Sequence, residues 1–234
     1  MPIIPGPNPA FKLPEPAGGG GGGGSPVAIT QSKIQRESPV GTTETIAFDS
    51  TPAANAGLVM FIGTYGETVS NVTDAGGNTW TFRQLEEQDT DGNGKIYIYT
   101  ARAASNPGTI TITKTNNFSN PAEVCIVEIA NTLTSGDAFD ADGSQSGNGT
   151  SASASVTTTA TGAFLLGVSH VGSTQTLAAG AGMTQLQENE NNSSGVCLWV
   201  GWKRVTSSGA ESGSCTIGGT VDWLAAAVNM KEQT

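Results

Sequence analysis

The chain has 234 residues, with 10 Lys+Arg against 20 Asp+Glu, a net charge of −10 and a pI near 4.4. Charged residues make up only 13 %, about half of the ~25 % usual in soluble domains, and Gly, Thr and Ser take their place. Ten scattered cations exclude the concentrated basic face that a nucleic-acid binder or a polybasic membrane-surface protein needs. No apolar run approaches the ~18 residues of a membrane-spanning helix, which excludes membrane insertion of that kind.

Residues 1–25 form an arm of their own composition. Seven of the 11 prolines fall in residues 1–26. Proline fixes φ and removes a backbone donor, so the stretch up to Pro16 is expected to be extended and polyproline-like. At ~3.1 Å per residue it reaches roughly 50 Å. Apolar Ile3, Ile4, Phe11 and Leu13 punctuate it and read as pegs that anchor the chain to a larger particle. The uninterrupted glycine run, from Gly18 through Gly21 to Gly24, reads as a hinge, because glycine has the most backbone freedom. A plain flexible linker is the alternative. The N-terminus lacks the basic, apolar and small-residue regions of a secretory signal, so synthesis in a host cytoplasm is expected.

From residue 26 onward the pattern has period two. Thr43–Phe48, Leu58–Tyr65, Thr79–Leu85, Lys95–Tyr99, Gly108–Thr113, Glu123–Ile129, Phe164–Val171, Val196–Lys203 and Trp223–Met230 read as strands. Gly- and Asn-rich breakers such as Ala75–Asn78 and Asn106–Gly108 separate them. Residues 136–155, small and free of proline, read as the connection between two halves. Those halves repeat. Arg83–Glu87, Gly94–Tyr99 and Val124–Val127 match Thr184–Glu188, Gly195–Val200 and Ala225–Val228 at an offset of 101, and Gly57–Phe61 matches Gly162–Leu166. One sandwich of two similar halves is favoured over two tandem immunoglobulin-like domains, because no second linker lies between them.

Val72-Thr-Asp-Ala-Gly-Gly-Asn-Thr-Trp80, followed by a strand pair, Thr109–Ile112, Glu128–Asn131 and a closing Trp223–Val228, resembles a recurrent jelly-roll-like β-sandwich module of bacteriophage virion (decoration, fibre or tail) and bacterial surface proteins. The resemblance covers about residues 27–232. It implies an all-β, jelly-roll-like antiparallel β-sandwich from two similar Greek-key halves, approximately 27–131 and 137–232, after an extended Pro/Gly-rich arm. It implies a structural or adhesive role and no catalytic residues. The expected protein is therefore a virion structural component, a capsid decoration or head/tail fibre, located in the virion and held there by its arm to other capsid or tail proteins. A homo-oligomer, with a trimer as one form, and a host glycan are the further partners this reading admits. A carbohydrate-binding adhesion module on a virion or cell surface is the alternative function.

Candidate chemistry is sparse. Asp89, Asp91 and Asn93 begin like a calcium loop, but position 12 of that motif is Thr100 rather than Glu, so a type I′ hairpin turn at Asn93-Gly94 is the preferred reading. The one histidine, His170, follows Ser169, and strand neighbours point to opposite faces, so the two do not form a nucleophile–base pair. Cys125, Cys197 and Cys215 read as buried small hydrophobes, with a Cys197–Cys215 bridge as the alternative, and offer no zinc cluster. Asp137, Asp140 and Asp142 read as a solvated loop group. Trp80 and Trp223 are expected in the core, and Trp199 and Trp202 on opposite faces. No cofactor is implied.

Overall fold

The computed structural model describes residues 25–36, 41–87, 93–115, 122–171, 175–189 and 196–234. The pegs Ile3, Ile4, Phe11 and Leu13 and the hinge Gly18, Gly21 and Gly24 lie outside them, as do Asp89 and Asp91. All pairings are antiparallel. The first half contains β1 (Ala28–Arg36), β2 (Thr43–Ala47), β3 (Gly57–Tyr65), β4 (Val69–Asp74), β5 (Thr81–Glu87), β6 (Gly94–Arg102), β7 (Thr109–Lys114) and β8 (Glu123–Ala130). The second contains β9 (Phe139–Thr158), β10 (Gly162–Val171), β11 (Leu177–Ala179), β12 (Thr184–Asn189), β13 (Val196–Val205) and β14 (Gly209–Lys231).

The strand order repeats. In the first half a five-stranded sheet runs β1-β8-β3-β6-β5 and a three-stranded sheet runs β2-β7-β4. In the second, β10 pairs with β13 and with the C-terminal part of β14, whose other neighbour is the N-terminal part of β9. The remaining parts of β9 and β14 pair with each other and, through β14, with β11. Long β9 and β14 thus each serve both layers, doing the work of β1 plus β2 and of β7 plus β8. Each half is a jelly-roll-like pair of layers.

The expected antiparallel β-sandwich is present, and the repeat makes it four layers deep. A middle core joins the two five-stranded faces: Val59, Phe61, Ile96, Ile98 and Val127 meet Leu165, Leu198, Val200, Leu224 and Val228. One outer core places Leu58, Met60, Ile62 and Ile126 against Ile46, Val72, Ile110 and Ile112. The other places Phe164, Leu166, Val168 and Trp199 against Ala152, Ala154, Leu177 and Ile217. The inner strands are buried on both faces, so β3, β6, β8, β10 and β13 read as continuous apolar runs rather than clean alternations.

The two halves meet about an approximate two-fold axis parallel to the strands, with β1 against β12 and β5 against β9. Both seams carry the same hydrogen bond. Gln84 Nε2 donates to Ser144 Oγ at 2.5 Å, and Gln187 Nε2 donates to Ser32 Oγ at 3.0 Å. Each glutamine follows a β-bulge in its strand, where the register shifts between Phe82 and Gln84 and between Gln185 and Gln187. A bulge re-aims the side chain that follows it, and here it turns both glutamines toward the facing half. At the centre the sheets approach closely. A Cβ on Gly167 would lie 2.4 Å from Phe61 Cδ1, and one on Gly63 would lie 2.8 Å from Val196 Cγ1.

Three sequence expectations are corrected. Residues 136–155 are largely strand, since β9 starts at Phe139. Glu87 pairs with Lys95 and Gly94 already belongs to β6, so Asn93-Gly94 is not the two-residue turn of that hairpin. The residue-level repeat is also out of phase in β3 and β6. Leu58 and Ile96 face an outer and the middle core, whereas their matches Ala163 and Cys197 face the middle and an outer core. A one-residue slip exchanges faces, and only the match of 124–127 with 225–228 keeps them.

Gly167→Val tests the close approach. The expected loss is about 1–3 kcal/mol from overpacking, seen as a lower urea midpoint at unchanged slope. A wild-type midpoint would contradict the spacing described.

Candidate functional site

The strands define two ends. Arg36, Gly63, Gly94, Lys114 and Glu123 mark the apex of the first half, and Val171, Asn189 and Val196 mark that of the second. Asn189 Nδ2 donates to Glu123 Oε2 at 2.8 Å, so both halves share one apex. The connections β1–β2, β3–β4, β5–β6, β7–β8, β10–β11 and β12–β13 begin and end there. The opposite end is the base. There the chain enters β1: Asn131 Nδ2 donates to the Pro26 carbonyl at 2.8 Å, and Val27 N donates to Glu232 Oε2 at 3.4 Å.

Buried charge gathers at the apex. Lys114 closes β7 on the face that carries Ile110 and Ile112, and Glu44 sits on β2 two residues from inward Ile46. Glu67 comes from the β3–β4 connection, where Thr64 Oγ1 and Tyr97 Oη donate to its carbonyl at 3.0 and 3.3 Å. Lys114 Nζ lies 2.6 Å from Glu44 Oε1 and 3.2 Å from Glu67 Oε1. All three are buried, and Glu67 Oε2 has no hydrogen-bond partner. Burial drives the Glu67 carboxyl above its ordinary pKa, against the pull of Lys114. Burial alone would lower Lys114, but its hydrogen bond to Glu44 and the charges of Glu67 and Glu44 outweigh that, and the net direction is up.

The second half supplies an internal control. Val69 pairs with Lys114 where β4 meets β7, and Leu177 pairs with Ile217 where β11 meets β14. Two residues earlier on the central strands, Ile112 pairs with Glu44 and Cys215 with Ala152. Glu67 stands two residues before β4, and Gln175 two before β11. The triad Glu44, Glu67, Lys114 therefore corresponds to Ala152, Gln175, Ile217. Ala152 and Ile217 are buried too. This backbone accepts an apolar corner, and burying an ion pair is commonly no more stabilising than burying apolar side chains of similar size.

A further carboxylate, Glu123, begins β8 and is fully buried. Besides its bond from Asn189, it has Arg36 Nε 3.9 Å from Oε1. Burial raises its pKa to about 7 against the opposing pull of Asn189 and Arg36. On β10, His170 lies between Cys197 and Trp223, buried, with neither ring nitrogen hydrogen-bonded, and burial lowers its pKa. Ser169 lies against Gly63 in the middle layer, on the other face of the strand from His170.

The other sequence candidates are dispersed. The Asn93 backbone carbonyl accepts from Gly66 N at 2.6 Å, and its companions Asp89 and Asp91 fall outside the described residues. Among the described residues no three His, Cys, Asp or Glu side chains could hold a metal ion. Asp137 binds Arg83 at 2.7 Å, and Asp140 accepts from Asn229 Nδ2 at 2.9 Å. Burial raises the pKa of Asp142. The three cysteines are buried without a disulfide. Trp199 and Trp223 belong to an outer core and Trp202 packs on the middle one.

The Val72–Trp80 motif is a hydrogen-bonded turn at the base. Asp74 accepts from Asn78 N at 3.0 Å, Asn78 Nδ2 at 2.9 Å and Trp80 Nε1 at 2.9 Å. Asn78 Oδ1 accepts from Ser105 N at 3.0 Å, and a Cβ on Gly76 would lie 2.2 Å from the Asn106 carbonyl. The motif's polar groups satisfy one another, which makes it a folding signature. The apical residues Glu44, Glu67, Lys114 and Glu123 were not singled out in the sequence, although the alternation Ile110, Ile112, Lys114 already directs a lysine inward. No family model, curated protein or solved structure matches this chain.

Two predictions follow from the buried charges. Lys114→Met leaves two buried carboxylates without a cation, a cost of about 3–5 kcal/mol. The triple variant Glu44→Ala, Glu67→Gln, Lys114→Ile, which imports the second half's residues, should exceed Lys114→Met in stability by at least half of that in urea titrations. For Glu123, a raised folded pKa stabilises the fold below the unfolded value of 4.5, and that contribution is lost as pH rises through about 7. Glu123→Gln should therefore gain on wild type by about 3 kcal/mol between pH 4 and 8. A pH-independent difference between the two proteins would contradict the burial of this charge.

Proposed function

We propose that this chain is a bacteriophage virion structural protein, a capsid decoration or head/tail fibre component. Residues 1–25 hold it to the particle and the β-sandwich is displayed. The observation that carries this reading is polarity. The arm joins the sandwich at the base, tied down through Pro26 and Val27, and six connections turn at the opposite end. A tether at one end presents the other end to the surroundings. The composition supports the same reading. The arm carries Lys12 against Glu15, so the net charge of −10 resides in the sandwich, where it keeps copies soluble and mutually repelling before they dock.

Tagged full-length chain and a chain lacking residues 1–25 are produced during infection, and particles are banded on a density gradient. The full chain is expected in the particle band and the truncated chain at the top of the gradient, with far-ultraviolet circular dichroism showing that the truncated chain is folded. Incorporation of the folded, truncated chain at full occupancy would overturn the anchoring role.

A further inference from the structure

We infer that Lys114 and Glu67 become joined by a spontaneous intramolecular amide bond, with Glu44 as the proton carrier. The inference stands on the apical triad and holds wherever the chain is used. Three features support it. The amine and both carboxyl groups are buried together, so the hydrolytic back-reaction lacks bulk water. Their placement is fixed: Glu44 and Lys114 by adjacent strands, and Glu67 by the two hydrogen bonds to its carbonyl. The corresponding residues of the second half, Ala152, Gln175 and Ile217, show that the fold does not require charges at this corner.

The geometry assigns the roles. Nζ is 3.2 Å from Glu67 Oε1, so the amine is already in hydrogen-bond contact with the carboxyl group whose carbon, one bond beyond that oxygen, it must approach to about 3–3.5 Å to react. Glu44 Oε1, at 2.6 Å, is the nearest acceptor for the lysine proton. Glu67, whose second oxygen finds no donor, is the member best suited to hold its own proton and so to accept attack at carbon. Glu44 takes one proton from the ammonium, and the neutral amine adds to the Glu67 carboxyl carbon. Glu44 passes its proton to the departing hydroxyl and takes the second proton from nitrogen. A C–N bond forms, a C–O bond breaks and one water leaves. Glu44 ends protonated. No oxidant or cofactor is needed, and an ion pair plus a carboxylic acid become a neutral amide and a carboxylic acid, which removes charge from the interior. The product ties the end of β7 to the β3–β4 connection at the rim of the first outer core.

Intact mass of the purified full chain under denaturing conditions reads the outcome directly. The wild-type chain is expected to be lighter than its sequence by one water, and peptide mapping should place the link between Lys114 and Glu67. Lys114→Arg and Glu44→Gln should both run at full sequence mass. Wild-type chain at full mass would overturn the inference, whatever the variants do. So would a lost water mapped to another site, such as cyclisation at an Asp-Gly step. Glu44→Gln that still loses water would overturn the assignment of Glu44.

Discussion

The structure depends on one contact, the middle core between the two five-stranded sheets. Because each of these sheets also carries an outer layer, its inner strands have no solvent face. This accounts for the composition. Strands such as β3 and β8 are apolar or small at nearly every position, and charge is confined to rims, outer layers and connections. Burying a Val, Leu or Ile side chain contributes about 1.5–3 kcal/mol, and the middle core draws such residues from both halves. Neither half could leave that face in water. Gly63 and Gly167 set how closely the layers approach, and the paired Gln–Ser bonds fix their lateral position at the two seams.

Against that background the apex of the first half stands apart. The two halves share strand order, bulge position and seam chemistry, yet one corner holds a lysine between two glutamates where the other holds alanine and isoleucine. A difference between copies that fold alike is a difference the fold does not demand. Glu123 reinforces the contrast, since it buries a carboxylate where the two halves meet, next to the same end. The base is built in the opposite way. Most of its polar groups, from Asp74 and Asn78 to Asp140 and the Asn229 amide nitrogen, are matched to one another by hydrogen bonds, and Asn229 Oδ1 and Thr132 Oγ1 are the exceptions among the described residues. Pro26 and Val27 enter the molecule at this base, and the end with the buried carboxylates and lysine lies opposite.

Much of this was legible in the sequence, for stated reasons. Alternation and breakers located nine strands, and recurrence of Arg83–Glu87 as Thr184–Glu188 exposed the duplication. The phase of the repeat was not legible in β3 and β6, because a strand buried on both faces carries no polar side to mark its orientation. The N-terminal part of β9 was hidden for another reason. Asp140, Gly143, Ser144 and Gly147 are turn formers by composition, and only pairing with β14 makes them a strand. Depth was missed as well. A run such as Leu58–Ile62, apolar at five consecutive positions, already needs a layer on either side, which two layers cannot provide. Of the apical residues, Lys114 was readable from its inward register, whereas Glu67 belongs to a connection and only its tertiary neighbours reveal it.

The central claim is that the middle core makes the two halves one cooperative unit. Native-state hydrogen exchange under increasing urea measures this most directly. The slowest amides of β3 and β6 in the first half and of β10 and β13 in the second are predicted to converge on one opening free energy, equal to that of global unfolding. Two separate plateaus, one for each half, would contradict the account.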